Sequence, residues 1–304
     1  MTSQVPLLKT QQVADVLGVS VSTAKRWIDS GALRASRTVG RHRLVEWTEV
    51  LAFARRQGLS ASMLPPGDDA AGEPVVDDRT RDALAEALAS GDSTRAKAIV
   101  HAAYAADPDA VSLADDLVRP VMERIGHGWE AGSVEIYQEH HASQSVQAAI
   151  TELIERLTRA RPRGSPLALG ATPEGDLYTL SLLLGELLLR EAGWDVRNLG
   201  PNLPLRSLSR AVVKYRPRLV FLSVNRLDDA ERFVEAYRPF HQAASSVDAA
   251  VVLGGRALGP DLRPRLIYAS FGERMAHLAE FAKRLAPPAD VGKGPGGPSG
   301  PSHP

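Results

Sequence analysis

From residue 167 onward the chain alternates short apolar runs with helical segments, and that rhythm restricts the fold more than any other feature. The runs are Leu167–Ala171, Val196–Leu199, Leu219–Val224 and Ala250–Leu253. The helix after the first run is expected over Leu177–Ala192, with Gly193 as its stop. Compact apolar strands alternating with helices point to a parallel, doubly wound sheet covered on both faces. In such a sheet ligands sit outside the carboxyl ends of the strands, so the loops after each run are candidate sites.

Ahead of this block, Arg79 to about Arg161 is rich in Ala, Leu and Glu with helical spacing of its apolar residues. Breaks at Gly91-Asp92-Ser93, Ala106-Asp107-Pro108 and Ala131-Gly132-Ser133 divide it into four helices, a small bundle closed by Arg161-Pro162-Arg163-Gly164. Lys plus Arg and Asp plus Glu are each 36 over the whole chain, but the balance is uneven along it. Residues 1–60 hold nine bases against four acids, and residues 61–80 hold five acids against one base. The acidic stretch, with Pro65-Pro66-Gly67 and Pro74, reads as a solvated linker. The last 18 residues contain six Pro and five Gly, the composition of a disordered tail. The expected domains are 1–58, a linker 59–78, a bundle 79–162, an α/β unit 163–286 and a tail 287–304.

Several classes fall away. No cysteine is present, which removes disulfides, thiolate metal sites and cysteine nucleophiles together. No apolar run reaches the roughly 18 residues of a membrane span, and the first ten residues lack a secretion pattern, so a cytoplasmic protein with no membrane partner is expected. No Ser-His-Asp set, P-loop or HExxH helix is recognisable, so no catalytic residues are expected. His140 and His141 do not make a metal pair, because helical neighbours point in different directions.

The basic front end has its own pattern. Gln11–Leu17 reads as a short apolar helix, Gly18 as a turn, and Thr23–Ser30 as a second helix capped by Ser20 or Ser22 and carrying Lys25, Arg26 and Trp27. This is helix-turn-helix spacing, in which the second helix enters the major groove of double-stranded DNA. Arg34 to Val45 reads as a β-hairpin with basic residues around its tip, suited to phosphate contact. Val13, Val16, Leu17, Ile28 and Leu33 are expected in the core, with Trp27 packed between helix and wing.

The order helix, turn, helix, then Arg37-Thr38-Val39-Gly40-Arg41-His42-Arg43-Leu44 resembles the winged-helix DNA-binding domain of the MerR family. The resemblance implies phosphate contacts from Arg37, Arg41 and Arg43, with His42 among the DNA-binding residues. It places Ser22, Thr23, Lys25 and Arg26 toward the groove.

Further along, Trp129 is followed, with nine residues intervening, by Glu139-His140, ahead of the α/β block. That arrangement resembles MerR-family regulators of the CarH/LitR type, which bind adenosylcobalamin and respond to light. It implies a multidomain α and α/β chain: winged helix-turn-helix, four-helix bundle capping the corrin, and a Rossmann-like cobalamin-binding domain. By the same resemblance Trp129 covers the upper axial group, and Glu139 with His140 contact it. Ser223 ends the third strand in Ser-Val-Asn, where the family usually has Ser-x-Leu, and Gly254-Gly255 ends the fourth, where missing side chains let a ligand tail approach.

One departure is sharp. Where this family carries acid-x-His-x-x-Gly, with the histidine ligating cobalt from below, the chain reads Gly175-Asp176-Leu177-Tyr178-Thr179-Leu180-Ser181. Tyr178 replaces the ligand and Ser181 the glycine, and a neutral phenol is a poor substitute for imidazole at cobalt. Asp176, normally the group that orients the histidine, is left free to accept from the Tyr178 hydroxyl if the two meet. Gly175, Asp176 and Tyr178 are the candidate ligand contacts from this loop, and histidine-ligated cobalamin is not supported. Three outcomes stay open: cobalamin without a protein ligand below, another ligand such as a different tetrapyrrole with His140 or His141 as axial group, or a ligand-free interaction scaffold. The leading reading is a DNA-binding regulator acting as a homo-oligomer, a dimer or tetramer. A corrinoid carrier or methyltransferase subunit is the reading from another class.

Overall fold

The computed structural model describes residues 7–17, 19–37, 43–57, 76–158, 164–266 and 270–285. Gly18, the hairpin tip with Arg41 and His42, linker residues 59–75 and the tail 287–304 lie outside the described residues.

The front end runs β1 (Leu7–Lys9), α1 (Thr10–Val16), α2 (Val21–Asp29), β2 (Ser36–Arg37), β3 (Arg43–Glu46) and α3 (Trp47–Gln57). Its three strands form an antiparallel sheet in the order β1-β3-β2, with Arg37 opposite Arg43. The strand β1 was not anticipated. The second helix starts two residues before the expected Thr23, because the Ser20 hydroxyl accepts the Thr23 N–H and caps it there. Val13, Val16, Leu17 and Leu33 are buried, and Ile28 is half-buried against them. Trp27 differs from expectation: its ring lies 5.0 Å from that of Phe53 on α3. The third helix supplies the large flat partner that an aromatic ring favours.

The bundle contains α4 (Asp78–Ala89), α5 (Ser93–Ala106), α6 (Ala110–Ser112), a π-helical turn Leu113–Val118, α7 (Arg119–Glu130) and α8 (Ile136–Thr158). Asp77, Asp92 and Asp109 cap their helices by accepting the N–H of Thr80, Arg95 and Val111. The acidic stretch expected as linker to residue 78 thus ends one residue earlier, with Asp77 as the cap. The π turn has a local cause. Pro120 has no N–H to offer the Asp116 carbonyl four residues back, and Arg81 Nη1 donates to that oxygen instead, at 3.1 Å.

The α/β unit runs β4 (Leu167–Ala171), α9 (Leu180–Glu191), β5 (Asp195–Asn198), α10 (Leu205–Tyr215), β6 (Leu219–Ser223), α11 (Ala230–Ser246), β7 (Ala250–Gly254), β8 (Ser270–Gly272) and α12 (Met275–Leu285). All its strand pairs are parallel, in the order β5-β4-β6-β7-β8. The chain therefore turns opposite ways out of β4 and β6, and the crevice between their carboxyl ends is the topological switch point. The fifth strand, β8, was not foreseen; at three residues it carries too little pattern to read. The helix expected from Leu177 begins at Leu180, since the preceding loop is held by other bonds described below.

Bundle and sheet meet through specific bonds. Asp115, on the π turn, accepts the N–H groups of Met275 and Ala276 at 3.0 Å each, capping α12 across the junction. Glu191, at the end of α9, accepts the Tyr104 hydroxyl at 2.8 Å and the Ala110 N–H at 3.0 Å. Burial pushes the Glu191 carboxyl above its ordinary value near 4.5, and these two hydrogen bonds only partly oppose it. A carboxyl whose folded pKa is raised contributes its full stability below the unfolded value and loses it as pH rises through the folded one. Urea unfolding of the full chain between pH 4.5 and 7 is therefore expected to show Glu191→Gln gaining stability relative to wild type as pH rises. A constant difference across that range would contradict the assignment.

Candidate functional site

The loop after β4 is knitted to both neighbouring loops. Asp176 is fully buried; its Oδ1 accepts the Tyr178 N–H at 3.0 Å. Its Oδ2 accepts the Asn225 N–H at 2.6 Å and the Arg226 N–H at 3.3 Å, both from the loop after β6. Its carbonyl accepts the Thr172 hydroxyl and the Asn202 N–H, and Asn202 Oδ1 in turn accepts the Gly175 N–H. The carboxylate is thus occupied by backbone donors. It takes the Tyr178 amide, so the hydroxyl contact considered from sequence is not what positions this residue.

Tyr178 turns outward: it is 48% exposed, and the Arg256 guanidinium lies over its ring at 4.9 Å. Ser181 lines a cavity of about 440 Å³ at the carboxyl ends of β6, β7 and β8, together with Ser223, Asn225, Gly254, Gly255 and Arg256. The Ser223 hydroxyl accepts from Asn225 Nδ2 at 2.8 Å, which leaves its hydrogen free to donate to a ligand. The two glycines line this cavity, yet their conformations answer first to the chain itself. A Cβ on Gly255, whose φ is +117°, would collide with the Val224 carbonyl, and one on Gly254 would sit 3.0 Å from the Gly272 carbonyl.

On the bundle, Trp129 lies in the last turn of α7 and is 47% exposed. Glu139 and His140 lie in the first turns of α8, with Glu139 Oε1 accepting the Ser143 hydroxyl and His140 Nε2 3.7 Å from Glu139 Oε2. His141 lies within 3.2 Å of the Ser93 hydroxyl on α5, whereas the His140 side chain is 68% exposed. Eight residues beyond Glu139, a rise of about 12 Å, Gln147 Oε1 accepts the Thr179 hydroxyl next to Tyr178. One helix thus runs from the cap residues to the substituted loop. Sequence reading missed the exposed Ile136 and Tyr137 on the cap, Leu177 on the loop, and Arg256. An apolar residue left exposed by its fold gives no periodic signal, and Arg256 is one arginine among many until the ring beneath it is seen.

These residues fit a ligand with one flat apolar face and an elongated tail: apolar side chains lie open on the loop, and a cavity with both apolar and charged walls follows from it. They do not supply a nitrogen donor from below. No histidine lines the cavity, and among the described residues no cluster of His, Asp or Glu suits a metal ion.

In the front end, Ser22, Lys25 and Arg26 are exposed on α2, and Thr23 is half-buried with its hydroxyl 2.9 Å from that of Ser20. Arg43 donates through Nε and Nη2 to Asp29 Oδ1, at 2.9 and 2.6 Å, which braces the hairpin against the end of α2. The Val21 side chain, 40% exposed at the start of α2, is an apolar group on the same surface that sequence reading did not single out.

Removing the central carboxylate tests the loop network. Asp176→Ala strands three backbone donors in a buried site and is expected to destabilise the full chain by about 3 kcal/mol in urea unfolding. Asp176→Asn, which keeps an acceptor, is expected to lose about half as much. Equal stability of Asp176→Ala and wild type would refute the network's role.

Residues 7–58 match the helix-turn-helix domain family, and residues 80–154 and 166–282 match two families each described as a B12 binding domain. The HTH-type transcriptional repressor CarH of Myxococcus xanthus is 30% identical over 187 residues, 62% of this chain and 61% of that protein. The repressor CarA of the same organism is 30% identical over 172 residues, 57% of this chain and 56% of that protein. The chain thus spans about six tenths of the length of these curated relatives. The structure of the Methanosarcina barkeri monomethylamine corrinoid protein matches with a TM-score of 0.59 at 16% identity, covering 69% of this chain and all of that one, which is a likeness of fold.

Proposed function

We propose that this chain, a helix-turn-helix domain followed by paired B12-binding domains, is a transcriptional regulator whose corrinoid-binding body controls how many DNA-binding units act together. The observation that carries the reading is the pairing of an open apolar cap with a cavity at the sheet's switch-point end, on a chain that begins with a basic helix-turn-helix. The front end argues for a regulator over a corrinoid carrier or methyltransferase subunit, because neither of those needs a DNA-reading helix.

The α2 residues Ser22, Thr23, Lys25 and Arg26 face the major groove, with Val21 as an apolar neighbour. Arg37, Arg41 and His42 on the hairpin reach phosphates, and Arg43 acts first as the brace that aims the hairpin. Trp129, Glu139 and His140 lie against the upper face of the ligand. Gly175, Asp176 and Tyr178 shape the loop beneath it, and Ser223, Gly254 and Gly255 line the passage for its tail. No protein imidazole serves the lower face, so the corrinoid is held by its faces and its tail. Bound adenosylcobalamin supplies a light-labile cobalt–carbon bond. The chain's own contribution is to clamp the ligand between α8 and the Tyr178 loop, where a change in ligand shape moves bundle against sheet. Such a movement alters contacts between subunits of a dimer or tetramer and so the avidity for paired operator sites. No helix among the described residues is long and apolar enough to cross a membrane, in keeping with a cytoplasmic regulator.

Full chain incubated with adenosylcobalamin in the dark and desalted is expected to retain a corrinoid absorption band. Green light is expected to shift that band and the elution volume on size exclusion together. Loss of the band on desalting would sink the corrinoid part and leave a regulator with another signal. In a mobility-shift assay on DNA flanking its own gene, Lys25→Ala with Arg26→Ala is expected to weaken binding at least tenfold and flatten its salt dependence, with the corrinoid band unchanged. Failure of the wild-type chain to bind would overturn the regulator itself.

A further inference from the structure

Four arginines line the cavity at the sheet's carboxyl end, and three of them are already neutralised. Arg119 Nε lies 2.8 Å from Glu123, and Arg263 Nη1 lies 2.6 Å from Glu273. Arg274 lies 3.6 Å from Asp115 and 3.7 Å from Asp116. Arg256 is different. Among the described residues it has no carboxylate partner; its guanidinium rests on the Tyr178 ring at 4.9 Å, and Nε meets the Asn225 carbonyl at a long 3.4 Å. Its backbone follows Gly255, whose positive φ and contact with Val224 fix where the side chain departs. The result is an uncompensated cation held at the cavity mouth with most of its donors unused.

We propose that Arg256 is the anion anchor of this cavity, binding the phosphodiester of a corrinoid's nucleotide tail, with Tyr178 as the positioning residue that holds the guanidinium in place. The proposal rests on the corrinoid reading above. A planar guanidinium offers paired donors that match phosphate oxygens, and π-stacking fixes its plane at little entropic cost. The chain thus exchanges a bond to the metal for a charged contact on the tail. Tyr178 and Arg256 are then two halves of one device, and Tyr178 is more than the loss of a ligand.

The test compares adenosylcobalamin, which carries the phosphodiester and base, with adenosylcobinamide, which lacks both. Affinities of full-length wild type, Arg256→Gln, Arg256→Lys, Tyr178→Phe and Tyr178→Leu are measured by calorimetry in the dark. Arg256→Gln is expected to weaken adenosylcobalamin about tenfold and to leave adenosylcobinamide unchanged. Arg256→Lys recovers part of the loss, Tyr178→Phe keeps wild-type affinity, and Tyr178→Leu falls toward Arg256→Gln. Equal weakening of both corrinoids, or none, overturns the anchor while leaving corrinoid binding intact. If wild type binds neither corrinoid, the functional reading fails and the anchor is decided on α-ribazole 5′-phosphate by thermal shift. Stabilisation of wild type but not of Arg256→Gln upholds it, and equal shifts refute it.

Discussion

The Asp176 carboxylate accepts three backbone N–H groups while fully buried, and the loops at the carboxyl end of the sheet depend on that arrangement. Two of the donors belong to the loop after β6 and one to its own loop, so a single side chain spans the crevice where the strand order reverses. Any charge this deep has to be repaid by hydrogen bonds, and here the backbone supplies them. A consequence follows for Tyr178. With both carboxylate oxygens taken by amides, nothing on the Asp176 side draws the phenol inward, and the ring is free to lie under Arg256.

The bundle reports on this end of the sheet through two separate seams. One runs along α8, from Glu139 and His140 through Gln147 to Thr179. The other is Asp115, which caps α12 from a π turn whose own irregularity traces to Pro120. A π turn is a place where a helix has already given up its regular ladder, and such segments recur at functional sites. At the far end of the contact the Glu191 carboxylate bonds Tyr104 and Ala110. Bundle and sheet thus share one buried apolar core, and a few directional bonds fix their register across it.

Much of the fold was legible because its signals were local and repeated. Apolar runs of four to six residues marked four of the five strands, three Gly- or Asp-containing breaks marked the four-helix division, and the Arg37–Leu44 stretch marked the hairpin. What escaped had no pattern to carry it: the three-residue strands β1 and β8, and the late start of α9. That start is set by Asp176 and Thr172, in bonds to residues far along the chain. The same holds at the site. The type of residue at 178 could be read, and with it the missing imidazole. That the ring faces Arg256, and that Arg274 is paired with Asp115 and Asp116, depends on contacts separated by dozens of residues.

The central claim is that the chain holds a corrinoid without lending it a protein nitrogen from below. Electron paramagnetic resonance of bound cob(II)alamin tests it directly, using full-length protein uniformly labelled with ¹⁵N and unlabelled cofactor. A lower nitrogen from the protein splits each cobalt line into a doublet, whereas the cofactor's own base gives a triplet and no axial nitrogen gives neither. The account predicts the triplet or unsplit lines, unchanged between labelled and unlabelled protein. A doublet that appears only on labelling would contradict it.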